Sequence, residues 1–297
     1  MSQSIRLKAR DINDAMKIFQ ECFVGRRGSL RCGVFLIAFA GGVFQVEAQG
    51  PYTLSQNDSS VQVNLGGGVY DWQVDNVNQL NQQWFYYRVG STGPEYSIDT
   101  IATPSSISSS PTRVSATYAN STISVKTSYL LSGQTSGSGK ATLTETLVVK
   151  NASAISQDFH FYQYSDFDLG DAAGNQTVQF YDNGSGSYYE VIQSYGNESL
   201  TETVSAPAAN APLVQAGLYD ATLLGLADDS PTTLDNTLSA GPGDVVYAYE
   251  WDATLGAGLS FTISKIMSIT VPEPSVLTIM WAGAVALALL RRRCRAV

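Results

Sequence analysis

The sequence predicts an all-β protein: a single antiparallel β-sandwich domain with an N-terminal signal peptide and a C-terminal transmembrane helix. Short runs of alternating apolar and polar residues fill the middle of the chain, and turn-forming residues separate them about every 10–15 residues. Both ends carry an apolar segment beside arginines. We therefore divide the chain into a signal peptide (1–48), a β-sandwich (49–270) and a C-terminal tail with an apolar segment (271–297).

The N-terminal part has the order of a secretory signal. Arginines at the start of residues 26–48 precede an apolar segment at 32–44, and Val46-Glu47-Ala48 offers a cleavage site before Gln49. The residues before position 26 are an unusually long lead, which indicates either an extended n-region or a translation start further downstream.

The strands of the sandwich are predicted from period-two alternation. Residues 122–131 and 141–150 form two strands around a Gly/Ser-rich turn, and Asn183-Gly184 marks a hairpin within 178–193. Residues 244–255 and 258–269 are predicted as the last two strands. Residues 74–89 can hold a short helical turn before an aromatic strand, and 103–112 is either a linker between two domains or a surface loop, of which we favour the loop.

Composition excludes several classes of function. Residues 49–271 carry six basic and 21 acidic side chains, a formal charge of −15, which disfavours nucleic acid as a partner. The three cysteines lie outside this span, so it has no disulfide and no thiolate metal site. The one histidine, His160, excludes any multi-histidine zinc site.

The densest candidate for binding chemistry is residues 157–176. On a strand, His160, Tyr162 and Tyr164 share one face, and the phenylalanines at 159, 161 and 167 share the other. Tyrosine rings can stack on sugars, so we predict a glycan-binding face at these three residues. The alternative is a structural strand with its phenylalanines in the core and its polar edge in water or under a loop.

The same stretch predicts a cation site. Asp166, Asp168 and Asp171 place hard oxygen ligands close together beside glycines, which suits calcium. The spacing is not that of an EF-hand, and Asp228 and Asp229 are a second, weaker candidate. No other cofactor is predicted.

The C-terminal tail combines three parts in a fixed order. Pro272, Glu273 and Pro274 precede a 15-residue apolar run at 276–290, about 22 Å as a helix and short of the ~30 Å core of a bilayer. The arginines that stop translocation follow: Arg291, Arg292, Arg293 and Arg295. This arrangement resembles the PEP-CTERM sorting signal of exopolysaccharide-producing Gram-negative bacteria. Residues 70–90 and 143–169 resemble segments of uncharacterised secreted proteins that carry the same signal.

The resemblance implies where the protein is located. It implies export with removal of the signal peptide by signal peptidase, transient anchoring in the inner membrane, and cleavage near Pro274 by an exosortase-type transpeptidase. The protein would then reach the cell surface or the exopolysaccharide matrix of a biofilm. We expect a non-enzymatic structural protein; the alternatives are a carbohydrate-binding module, with calcium as its candidate cation, and a polysaccharide-active enzyme.

Overall fold

The alternating patterns of the sequence fold into two antiparallel sheets. The computed structural model describes residues 51–182, 184, 187–207 and 212–271, and its strands follow in chain order. They are β1 (Tyr52–Gln56), β2 (Ser59–Asn64), β3 (Gly68–Val74), β4 (Val77–Asn78), β5 (Gln82–Val89), β6 (Tyr96–Ser97), β7 (Ser105–Ser110), β8 (Arg113–Ala119), β9 (Ile123–Gly133), β10 (Lys140–Asn151), β11 (Gln157–Asp166), β12 (Gln176–Asp182), β13 (Tyr188–Tyr195), β14 (Glu198–Ser205), β15 (Leu213–Leu218), β16 (Ser239–Gly243), β17 (Val245–Leu255) and β18 (Ser260–Thr270).

Among the described residues each sheet has nine strands. The first has the order β1-β2-β3-β5-β11-β17-β15, with β4 beside β3 and β6 beside β5, and the second has the order β16-β12-β13-β14-β18-β10-β9-β8-β7. Strand β11 lies between β5 and β17, so both of its edges are paired. A six-residue helix, α1 (Ala221–Leu226), and two short 3₁₀ helices, Ile98–Thr100 and Leu169–Asp171, connect strands.

The two sheets pack face to face around one large apolar core, which makes a β-sandwich. The ring of Phe180 on β12 lies 5.2 Å from that of Tyr249 on β17 and perpendicular to it. Strands β9 and β10 alternate buried and partly exposed residues along their length, as expected for strands with one face in the core. The predicted all-β sandwich is therefore confirmed.

The core also contains charge. Lys265 on β18 is fully buried, and its Nζ lies 2.7 Å from Oε2 of Glu145 and 3.5 Å from Oε1 of Glu202. From the first sheet, the Nε2 of Gln83 donates to Glu145 and the Nε2 of Gln163 donates to Glu202. Polar bonds thus cross the sandwich at its centre, because each buried carboxylate requires donors.

The predicted strands match the observed ones closely, with β9, β10, β17 and β18 each within two residues of the predicted ends. Two smaller expectations are corrected. Residues 74–89 contain a tight turn at Asp75-Asn76 and the strands β4 and β5 in place of a helical turn, because both turn residues adopt positive φ. Residues 105–110, within the predicted loop, form β7, which pairs with β8 at the edge of the second sheet.

The two ends lie outside the described residues. The predicted signal peptide at 1–48, the motif at 272–274, the apolar run and the arginine cluster all fall there. Among the residues that the structure does describe, none of the helices has the length and apolarity that a membrane span requires.

Candidate functional site

The candidate site lies on the face of β11 that points away from the core. Strand register places Arg88 of β5, His160 of β11 and Asp252 of β17 side by side in one row across the first sheet. The next row contains Tyr86, Tyr162 and Glu250 on the same three strands. Side chains directly opposite each other on neighbouring strands come into contact, so this register brings charged groups together.

His160 is flanked by two carboxylates. Its Nδ1 lies 2.6 Å from Oδ1 of Asp252 and 3.6 Å from Oε1 of Glu250, an ion-pair contact without straight hydrogen-bond geometry. Asp252, followed by Glu250, raises the pKa of His160 to about 9, against the opposing effects of burial and of Arg88. With this pKa the ring is protonated at neutral pH, so its N–H groups can act as hydrogen-bond donors to a ligand.

A buried network continues from Glu250 toward β5. The hydroxyl of Tyr162 lies 3.0 Å from Oε1 of Glu250 and accepts a hydrogen bond from Nη2 of Arg88. The Nε of Arg88 donates to Oε1 of Glu95 at 2.8 Å. These groups are almost completely buried, and each charge has a partner of opposite sign, as buried charges require.

The same network fixes the segment 221–236, which begins with α1. The carboxylate of Glu95 accepts a hydrogen bond from the backbone N–H of Thr232, and that of Glu250 accepts one from the N–H of Leu234. Leu226 packs on Tyr162 and Tyr164 in a small apolar cluster separate from the main core. The segment therefore covers the outer face of β11 beyond His160.

A pocket of about 310 Å³ opens beside His160, at the uncovered end of this face. Its polar lining includes Ser91, Asp158, His160, Asp252 and Thr254. The Oγ1 of Thr254 donates to Oδ1 of Asp158, and the side chain of Asp252 is one-third exposed. The pocket thus offers a protonated imidazole and two accessible carboxylates, at the small end of the size range of ligand pockets.

The predicted glycan-binding residues are divided by this arrangement. His160 lines the pocket, with a fifth of its side chain exposed. Tyr162 and Tyr164 are at most 1% exposed, because the segment that contains α1 covers them. Their rings have no free face for a sugar in this conformation, whereas the predicted assignment of Phe159 and Phe161 to the core matches the structure.

The predicted acidic ligands are divided as well. Oxygens of Asp166, Asp168 and Asp244 lie within 4.8 Å of one another. Asp171 is exposed and is not part of this group. Burial raises the pKa of Asp166 to about 6, against the hydrogen bond from Asn81. The exposed pair Asp228 and Asp229 is not part of a three-ligand cluster among the described residues.

The sequence did not indicate Arg88, Asp252 or Asp244 as site residues, and it offered Glu250 only as one of several carboxylates that a glycosidase could use. The sequence feature that could have indicated them is the pair of acidic residues at 250 and 252, on either side of Trp251, in a strand that is otherwise mostly apolar and aromatic. It could not show that these positions face His160, because the strand register is set by contacts distant in sequence.

Comparison with known proteins gives structural matches only. No family and no curated protein matches the sequence. A bacterial glucoamylase, whose structure is a complex with acarbose, matches with a TM-score of 0.52 and 10% identity over 77% of this chain. The matched region is 33% of the glucoamylase, so two thirds of that enzyme have no counterpart here.

Two smaller enzymes match over nearly their whole length, with lower scores. A putative aldose 1-epimerase from Escherichia coli K12 has a TM-score of 0.47 and 14% identity, over 75% of this chain and 99% of its own. The galactose 1-epimerase of Lactobacillus acidophilus has a TM-score of 0.47 and 13% identity, over 74% and 93%.

The glucoamylase match corrects the prediction that the protein is not an enzyme. A sandwich of this kind forms part of a bacterial glucoamylase, a carbohydrate-active enzyme, so the fold gives no ground for a purely structural role. At 10% identity the match shows the fold alone and identifies neither substrate nor catalytic residues. The fold is consistent with the carbohydrate-binding alternative.

Proposed function

We propose that the protein is exported to the cell surface and there binds a carbohydrate in the pocket beside His160 and catalyses proton transfer on it. The observation that carries this proposal is the position of His160, whose Nδ1 lies between the carboxylates of Asp252 and Glu250 at the edge of an open pocket. The glucoamylase-like sandwich supports it at the level of the fold.

The pocket chemistry suits a small sugar. A sugar hydroxyl both donates and accepts hydrogen bonds, so its site requires donors and acceptors close together. The imidazolium of His160 supplies a donor, and the carboxylates of Asp158 and Asp252 supply acceptors. A volume of about 310 Å³ suits one sugar ring better than an extended polysaccharide.

The proposed reaction is the opening and closing of an aldose ring. His160 gives a proton to the ring oxygen as the bond between that oxygen and the anomeric carbon breaks. Asp252 takes the proton of the anomeric hydroxyl, whose oxygen becomes the carbonyl. Closure on the other face of the carbonyl gives the second anomer and returns both protons. The step requires only an acid and a base near one sugar ring, and His160 and Asp252 line one pocket.

Two measurements on the full-length chain test this proposal. Saturation-transfer NMR with a panel of monosaccharides measures binding, and polarimetry measures the rate at which a pure anomer equilibrates. We expect His160→Gln and Asp252→Asn to reduce the rate at least 100-fold. Asp182→Asn on the second sheet is the matched control and should leave it unchanged. No binding to any monosaccharide, or equal rates in all variants, would contradict the site.

Export and sorting are tested separately. The two ends of the sequence support this part of the proposal, with a cleavage site before Gln49 and a Pro-Glu-Pro motif before an apolar run and arginines. Intact-mass spectrometry of the protein from the cell surface and medium of its host should give an N-terminus at Gln49 and a C-terminus near 272–274. A C-terminus at Val297 in the membrane fraction would mean a permanent anchor and no exosortase-type cleavage.

A further inference from the structure

A second polar cluster lies at the other end of the outer face of β11. Asp166 ends β11, Asp168 follows two residues later, and Asp244 immediately precedes β17. Their carboxylate oxygens lie within 4.8 Å of one another. Asp166 is six residues from His160 along the strand, about 20 Å, so the cluster is distinct from the pocket.

The carboxylates of this cluster lack the donors that buried oxygens require. The Oδ1 atoms of Asp166, Asp168 and Asp244 are all buried and have no hydrogen-bond partner among the described residues. The other oxygen of Asp166 accepts from Nδ2 of Asn81 at 2.7 Å. No ion pair within the described part of the chain involves these three side chains. Three carboxylates this close repel one another unless a cation or protons neutralise them.

Tyr164 gives an independent indication of a missing ligand. Its side chain is 1% exposed, and its hydroxyl has no hydrogen-bond partner in the described structure. It lies on the same face of β11 as Asp166, two residues away. A buried hydroxyl without a partner costs free energy comparable to a lost hydrogen bond, which an ion or its bound water would recover.

We propose that Asp166, Asp168 and Asp244 bind a calcium ion that joins the end of β11 to the start of β17. The donors are all hard oxygens, which calcium prefers, and neither sulfur nor imidazole is in the cluster. Oxygens bound to one calcium at ~2.4 Å lie at most about 4.8 Å apart, and the three carboxylates are within that limit. Water and backbone carbonyls would complete the shell. The ion holds together the two strands that carry His160 and Asp252.

The test compares Asp244→Asn with Asp229→Asn, a control that removes an exposed acidic group outside the cluster. The full-length chain is freed of metal with EDTA, and its midpoint of thermal unfolding is measured as calcium chloride is added. Terbium luminescence gives a second readout, because a tyrosine next to the ion sensitises it. We expect calcium at 100 times its dissociation constant to raise the midpoint of the wild type and of Asp229→Asn by about 5 °C or more. Calcium affinity should fall at least tenfold in Asp244→Asn.

The calcium-free state separates loss of a ligand from loss of folding. Asp244→Asn removes one of three repelling charges, so without calcium it should unfold at the same temperature as the wild type or higher. Absence of a calcium-induced shift in the wild type, or an equal shift in Asp244→Asn, would overturn the proposal. An equal shift with magnesium at the same concentration would overturn the assignment to calcium.

Discussion

Replacing Lys265 by methionine should destabilise the sandwich more than any surface substitution. The Nζ of Lys265 lies 2.7 Å from Glu145 and 3.5 Å from Glu202, and all three side chains are fully buried. Methionine has a similar length and lacks the charge, so it leaves two carboxylates facing each other in the core. Removing one partner of a buried ion pair costs about 3–5 kcal/mol. For a domain of this size each kcal/mol lowers the unfolding midpoint by about 2–4 °C, which gives a loss of roughly 6–20 °C.

Urea and thermal unfolding followed by circular dichroism measure this loss. Lys126→Met on β9 is the matched control, because Lys126 is exposed, and it should change the free energy of unfolding by less than about 0.5 kcal/mol. Adding Glu145→Gln to Lys265→Met removes one of the two uncompensated charges and should recover part of the loss. A cost below about 1 kcal/mol for Lys265→Met, or no recovery in the double variant, would refute the role assigned to the buried lysine.

Three further predictions follow from the described contacts. The pKa of His160 is about 9 in the folded state and ordinarily 6.5, so the protonated ring stabilises the fold fully below pH 6.5, and this contribution is lost as the pH rises through 9. Measured by urea unfolding, the free energy of unfolding should therefore fall less between pH 6 and pH 9.5 in His160→Gln than in the wild type. Arg88→Met leaves Glu95 buried without a positive partner, so it should lower the free energy of unfolding by about 3 kcal/mol and make the segment 221–236 more sensitive to limited proteolysis. Equal protection of this segment in the variant and the wild type would contradict the network. A Cβ at Gly133 would lie 2.0 Å from the carbonyl oxygen of Gln56, so Gly133→Ala should lower the free energy of unfolding in urea by about 1–3 kcal/mol. The control Gly174→Ala, whose Cβ would meet no atom within 4 Å, should lower it far less.

The strands were predictable because alternation survives in the sequence. The pattern Ile123, Val125, Thr127, Tyr129 places apolar or weakly polar residues on one side, and the structure buries that side. The short strand β7 was missed because 105–110 contains five serines and one isoleucine, mostly exposed at the sheet edge. Its pairing with β8 depends on backbone hydrogen bonds, which the pattern of side chains does not indicate.

The candidate sites were only half predictable, and the reason is strand register. His160 and Asp166 stood out as the single histidine and as part of an acidic run, and both lie in the sites described. Their partners, Asp252 and Asp244, are more than 75 residues away in sequence and meet them only because β17 pairs with β11. Asp171 is close in sequence to Asp166, yet a 3₁₀ helix places it in solvent outside the cluster. Proximity in sequence is a weak guide to proximity across a sheet.

Strand β11 explains why polar chemistry concentrates where it does. Its inward face places Gln163 against the buried carboxylate of Glu202, which connects the strand to the second sheet. Its outward face carries His160 at one end and Asp166 at the other, with Tyr162 and Tyr164 sealed between them. A central strand has a cross-strand neighbour on each side for every residue, so it can pair a buried charge that an edge strand would leave to water. Sealing the tyrosines separates the two polar ends, so a cation bound at Asp166 would stabilise the strand that positions His160 without occupying the pocket beside His160.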